Sequence, residues 1–188
     1  MELVRRTIER YVKLSDAGWE HIRPYWVERR FAKDAHITGL GQVEEWFSIV
    51  AEGVQRMYYP HDGEEVCLGF SYDGSWSGVF DSYVTVKPAR FGLQAVTDSA
   101  LLSIHRRDLL DLYDRIPIMD RFGRLILEEL VVGRATREIE QMTLTAEERY
   151  RALLKRSPHL LQLVSQKDIA SYLRMTPETF SRLRAKVR

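Results

Sequence analysis

Apolar positions change their spacing several times along this chain, and each change marks a new kind of element. In residues 1–30, Leu3, Ile8, Tyr11, Val12 and Leu14 recur at loosely helical intervals. A second helical start is signalled at Ser15 and Asp16, ahead of Trp19, Ile22 and Trp26, so these thirty residues read as helical throughout. Residues 35–104 read as all-β. Their short stretches at 46–50, 54–59, 66–70 and 100–104 are rich in aromatic and β-branched residues, and Gly39, Gly41, Gly53, Gly63, Gly74 and Gly78 separate them. Within "YYPHDGEEVCLGF", Asp62-Gly63 supplies the positive φ values of a tight hairpin turn between two apolar strands. Many short strands joined by tight turns predict a small β-roll or jelly roll.

Helical spacing resumes at Asp108 and, after Pro117, runs as one segment to about Gln141. Its apolar positions Ile118, Phe122, Leu125, Val132 and Ile139 approximate a 3-4 repeat that Glu129 and Thr136 interrupt. Such a stripe is buried either against a copy of itself or along its own roll, and spacing weighs the two equally. Gly133 marks either a close approach of two backbones or a weak point. Thr145 with Glu148 forms a capping box for a helix that buries Tyr150, Leu153 and Leu154 and ends at Pro158, and "HLLQLV" then serves as a linker.

The closing stretch, "SQKDIASYLRMTPETFSRLRAKVR", carries a second capping pair, Ser165 and Asp168, ahead of a helix from Gln166 to Leu173 with Ile169 and Leu173 inward. Thr176 caps the next helix, and Pro177 takes its first position, where a missing N–H is harmless. The layout is helix-turn-helix. Arg174 stands in the turn where glycine is usual, at a cost of roughly 1 kcal/mol if φ is positive there. At about 100° per residue, Phe180, Leu183 and Val187 share one side of the last helix, while Glu178, Ser181, Arg182 and Ala185 share the other, flanked by Lys186 and Arg188. That outer face is polar and small in the middle, as a helix entering a major groove requires. Arg182 can donate a bidentate pair to guanine, and Glu178 can accept from cytosine N4. Lys167, Arg184, Lys186 and Arg188 are placed to hold phosphates, as are the amide donors at the start of the helix, around Thr176 and Thr179 on either side of Pro177.

Charge sharpens this picture. Residues 1–142 hold 18 Lys and Arg against 23 Asp and Glu, net −5, whereas 143–188 hold 10 against 4, net +6. Segregated basic charge fits a nucleic-acid-binding unit attached to a domain with other work, or a tail that docks an acidic protein partner. Cys67 is alone, so no intramolecular disulfide or multi-cysteine metal site is expected. His21, His36, His61, His105 and His159 show no metal-ligand spacing, and no nucleophile–base pair is apparent, so no catalytic residue, metal or cofactor is expected. No apolar run approaches the ~20 residues of a membrane span and the first residues are charged, so a cytoplasmic protein without membrane attachment is expected.

The stretches "ITGLGQVEEWFSIVAEGVQRMYY", "LQAVTDSALLSIHRRDLLDLYDRIP", "LTAEERYRALLKRSPHL" and "QKDIASYLRMTPETFSRLRAK" together resemble the Crp/Fnr superfamily of bacterial transcription regulators over essentially the whole chain. The resemblance implies an α+β chain in three parts. A cyclic-nucleotide-binding-like sensory β-roll with flanking helices covers 1–114, a long dimerisation helix 115–142, and an all-α helix-turn-helix domain 143–188. It further implies a homodimer on an inverted-repeat double-stranded DNA operator, Glu178 and Arg182 as base-reading residues, and RNA polymerase as a further partner. Family members often place an arginine directly before that glutamate, where this chain has Pro177. A helix-turn-helix domain without the C-terminal β-wing of many relatives is expected. The cyclic-nucleotide cassette pattern of this family, Gly-Glu and then Arg-Ser/Thr-Ala, is decayed in "GSWSGVFDSYVTVKPARFGLQAV": Gly78 precedes Val79, and Arg90 precedes Phe91-Gly92. Tight cyclic AMP binding is therefore not expected. Trp76, Gly78, Phe80, Tyr83, Arg90 and Phe91 remain as lining of a different effector pocket or as plain core.

Overall fold

The computed structural model describes residues 1–186. Helices α1 (Glu2–Glu9) and α2 (Asp16–Ile22) open the chain, and Ser15 caps α2 by accepting from the Gly18 amide. The helical reading fails at Trp26. Strand β1 (Trp26–Phe31) begins there and pairs antiparallel with β8 (Ser99–His105), Trp26 opposite Ile104. Trp26 follows Ile22 at a helical interval, but a single turn of 3-10 helix at Arg23–Tyr25, carrying Pro24, breaks the run between them.

Two four-stranded antiparallel sheets make the roll, with strand orders β1-β8-β3-β6 and β2-β7-β4-β5. Their remaining members are β2 (His36–Thr38), β3 (Trp46–Glu52), β4 (Gln55–His61), β5 (Glu64–Ser71), β6 (Trp76–Ser77) and β7 (Gly92–Ala95). Asp62 (φ 51°) and Gly63 (φ 79°) turn β4 into β5 with His61 opposite Glu64. Pro60 is tolerated because it lies beyond the last pairing of β4 with β7, Tyr58 with Gly92, and so removes no donor from the central ladder. The stretch read as all-β also holds a helix, α3 (Phe80–Thr85). Its sequence FDSYVT is strand-like in composition, and tertiary packing of Ser82 and Tyr83 overrides that preference.

Beyond the roll, α4 (Arg106–Arg115) leads to α5 (Pro117–Thr143), whose 27 residues extend about 40 Å at the helical rise. Met119, Phe122, Gly123 and Ile126 sink its first half into the core formed with α1, α2, β3, β8 and α4. Gly123 is required at this crossing, because a Cβ there would lie 2.5 Å from the Tyr113 hydroxyl. Phe122, whose partner spacing leaves open and which the resemblance places on the dimerisation helix, is fully buried in its own roll and does not face a partner. The second half differs: Val132 and Ile139 are 65% and 61% exposed, and Val131 and Met142 are exposed too. Ile118 and Leu125 are half-buried against the roll's core. Gly133 faces open space, with no neighbouring atom where a Cβ would be. The last four helices are α6 (Ala146–Arg156), α7 (Leu160–Leu163), α8 (Gln166–Tyr172) and α9 (Pro177–Lys186). The segment "HLLQLV", read as a linker, holds α7, which buries Leu160.

Candidate nucleic-acid interface

The last four helices are set by local chemistry. Thr145 and Glu148 exchange both hydrogen bonds of a capping box at the start of α6. Ser165 accepts from the Asp168 amide at the start of α8. Arg174 then adopts φ 52°, its amide donating to the Ser171 carbonyl at 3.0 Å while the Met175 amide donates to the Ala170 carbonyl at 3.0 Å. Those two bonds make a Schellman ending with an arginine in the glycine position. Arg149 braces this turn, donating from Nε to the Leu173 carbonyl (2.8 Å) and from Nη2 to the Arg174 carbonyl (3.2 Å). Three residues on, the Thr179 amide donates to Thr176 Oγ1 at 3.3 Å, which opens α9.

Phe180 anchors α9. It is fully buried, meets the Tyr150 ring edge-on at 5.5 Å between centroids, and joins Leu153, Leu160, Ile169, Ala170 and Leu173 in one cluster. Leu183 packs against the same cluster, whereas Val187 and Arg188 lie outside the described residues. On the opposite side Thr176, Pro177, Glu178, Ser181, Arg182, Ala185 and Lys186 are exposed, with Thr179 and Arg184 half-buried. Its own backbone amide, the Thr176 side chain and the Arg182 charge hold the Glu178 carboxyl below the usual range, so it is an ionised acceptor at neutral pH. Arg182 Nη2 reaches Thr179 Oγ1 at 3.4 Å. Lys186 pairs with Glu147 of α6 at 2.8 Å.

Lys167 stands apart from this surface. Its Nζ binds Glu64 at the turn end of the β4–β5 hairpin at 2.7 Å, so a carboxylate of the roll takes the place expected for a phosphate. Next to it, Asp168 pairs with Arg56 of β4 at 2.9 Å, and Arg56 also holds Glu65 and Gln94. The Ser171 hydroxyl accepts from the Cys67 amide at 2.9 Å. Sequence reading missed Arg56, Arg149 and Ser171, whose partners lie far along the chain.

The roll residues read as effector-pocket lining or as plain core are divided between two packed clusters and the surface. Trp76 stacks on Phe47 at 4.6 Å and meets Phe122 at 5.8 Å, and Phe80 stacks on Tyr83 at 6.4 Å, all in the core beneath α5. Phe91 packs with Val79, Ala89 and Leu93 in a separate cluster. Arg90 points to solvent and pairs with Asp81 at 3.0 Å. These aromatics are core because the roll is small and needs their volume. Gly78 adopts φ 152° at the entry to α3, and the Val79 amide beside it donates to Glu44 Oε2 at 3.2 Å. Buried Glu44 also accepts from Thr38 Oγ1 (2.5 Å) and the Trp46 amide (3.0 Å). A carboxylate of the chain itself thus occupies the amides that an anion would use. Among the described residues, no His, Cys, Asp and Glu group could hold a metal ion, and no helix is long and apolar enough to cross a membrane.

No protein-family model and no curated protein sequence matches the chain. Solved structures do. FixK2 from Bradyrhizobium japonicum is similar at TM-score 0.68 and 22% identity, over 86% of this chain and 84% of that one. The catabolite activator protein of Thermus thermophilus is similar at TM-score 0.57 and 24% identity, over 93% of this chain and 84% of that one. A CooA variant from Carboxydothermus hydrogenoformans gives TM-score 0.67 and 16% identity, over 94% and 86%. At these identities the likeness is one of architecture, and the chain has the fold of these proteins along nearly its full length.

Proposed function

We propose that the chain is a sequence-specific DNA-binding transcription regulator of Crp/Fnr type that works as a homodimer. One observation carries the reading: α9 buries Phe180 and leaves Glu178, Ser181, Arg182 and Ala185 exposed on the opposite side, a small polar centre that a major groove admits. The likeness to a catabolite activator protein agrees with it. Val131, Val132, Ile139 and Met142, exposed on the second half of α5, are the surface a second copy covers. Two α9 helices related by that two-fold would enter successive major grooves about 34 Å apart, so the operator is an inverted repeat.

The roll of this regulator takes no cyclic nucleotide at the family's site, since Glu44 already neutralises the Val79 amide and Arg90 is spent on Asp81. The alternative, a module whose basic tail docks an acidic partner protein, draws on the same charge segregation. Part of that basic surface already has its acidic partner within the chain, at Glu64. Gel-shift competition between genomic upstream fragments and random DNA separates the two readings. Preferential retention of particular fragments is expected, and equal competition at all salt concentrations would favour the protein-docking module.

A further inference from the structure

Helix α8 is fastened to the rest of the chain from two directions. The roll holds its N-terminal end through Arg56 and Glu64. Its C-terminal end is held by a residue of α5, Arg137. The Arg137 guanidinium lies over the Tyr172 ring at 4.2 Å from the centroid, and Tyr172 in turn leans on Phe70 of β5 at 5.2 Å. To get there Arg137 must cross β5, and it does so over Gly69, where a Cβ would stand 2.9 Å from Nη1. The neighbours of Arg137 on α5, Val132 and Ile139, are exposed. In this stretch Arg137 turns inward while the apolar residues face out.

On the reading above, α5 carries the dimer axis and α9 reads DNA. Helix α8 joins α9 through the rigid Arg174 turn, so the α5–α8 angle sets where α9 points. We propose that Arg137 is the positioning residue of this regulator, fixing the angle between α5 and α8 and hence the separation of the two reading helices, with Gly69 as the gap it needs. The proposal rests on the regulator reading for its consequence, and on the Arg137–Tyr172 contact for its cause.

Cys67 supplies a native probe. Its amide is bound to Ser171, its side chain is 3% exposed, and Asp168, Arg137 and Arg56 all act on the thiol, which places it beneath α8. Maleimide labelling of Cys67 in the full chain should therefore report release of α8. Arg137→Met and Gly69→Ala should each label about 10-fold faster than the parent, with Arg137→Lys in between and Arg30→Met, on the exposed side of β1, unchanged. Gly69→Ala displaces the guanidinium without removing it, so it decides the matter should Arg137→Met not fold. The second readout is binding to inverted repeats whose half-site spacing is varied in single base pairs. The parent should favour one spacing by roughly 10-fold, and Arg137→Met should flatten that preference while keeping its base preference within a half-site. Parental labelling rates in both variants would overturn the proposal. So would faster labelling with an unchanged spacing optimum, since Arg137 would then hold α8 down without aiming it. Failure of the parent protein to select any DNA sequence would sink the regulator reading instead, and the labelling rates would still decide the contact.

Discussion

Two helix starts in the chain have a carboxylate beside them, one enclosed and the other open to solvent. At the entry to α3 the backbone turns through Gly78 and presents the Val79 amide, but Glu44 is folded in against it from the loop before β3. At α9 the corresponding carboxylate, Glu178, belongs to the helix and projects outward beside Arg182 with no roll residue over it. Both sites combine a helix start with a carboxylate. Burial separates them: a carboxyl group enclosed with three donors is a finished internal network, whereas an exposed one keeps its acceptor capacity for a ligand. A helix N-terminus therefore says little about anion binding until the charges already facing it are counted.

The largest expected effect tests whether the open surface depends on its buried anchor. Phe180→Ala empties a fully buried site and should destabilise the last four helices by about 3–5 kcal/mol. Loss of DNA binding together with a lower melting temperature is expected. Next comes the closed surface. Glu44→Gln keeps the shape but turns an acceptor into a donor toward Val79 or Trp46, leaving a buried amide unsatisfied at a cost of about 1–3 kcal/mol. Its melting temperature should fall with DNA affinity unchanged; parental stability would show that Glu44 is no part of a closed network. Of similar size, Arg182→Ala should cost ~1–3 kcal/mol on the operator and relax the choice at one base position, whereas Arg184→Ala should weaken all sequences alike. Identical behaviour of the two on operator and random DNA would erase the distinction between reading and holding.

How far the sequence reveals this arrangement follows from the range of the forces involved. The Asp62-Gly63 turn, both exchanges of the Thr145–Glu148 box and the positive φ of Arg174 were all visible in a few adjacent letters, because each is decided within one turn of chain. The outward flank of α9 followed from helical geometry once Phe180 was taken as the anchor. Strand β1 and helix α3 were hidden, since Trp26 fits a helical interval and FDSYVT has a strand's composition, and only sheet pairing or core packing chooses between the states. The partner of Phe122 stays open in the sequence because a periodic stripe shows which residues are buried together, not against what. The mounting of α8 was hidden in the same way: Arg56 meets Asp168 across 112 positions of sequence, a distance at which no spacing rule operates.

The smallest effect concerns Lys167, a cation of the expected DNA surface that the roll has claimed. Its hydrogen bond to Glu64 raises the Lys167 pKa and lowers that of Glu64. A carboxylate held low contributes its pairing above its unfolded pKa, about 4.3, and loses it as pH falls through the lower folded value; a raised lysine contributes below about 10.4 and loses it as pH climbs through the higher folded value. The pair is therefore constant from about pH 5 to pH 10 and yields only to acid, strong alkali or salt. DNA binding measured from pH 6 to pH 9 should carry no inflection from it. A true phosphate contact contributes about 0.9 to the slope of log affinity against log salt, and Lys167→Ala should remove almost none of that, because the ammonium it deletes is spent on Glu64. A slope reduced by the full amount would mean that DNA displaces Glu64, and that the hairpin guards a phosphate-binding lysine rather than using it up.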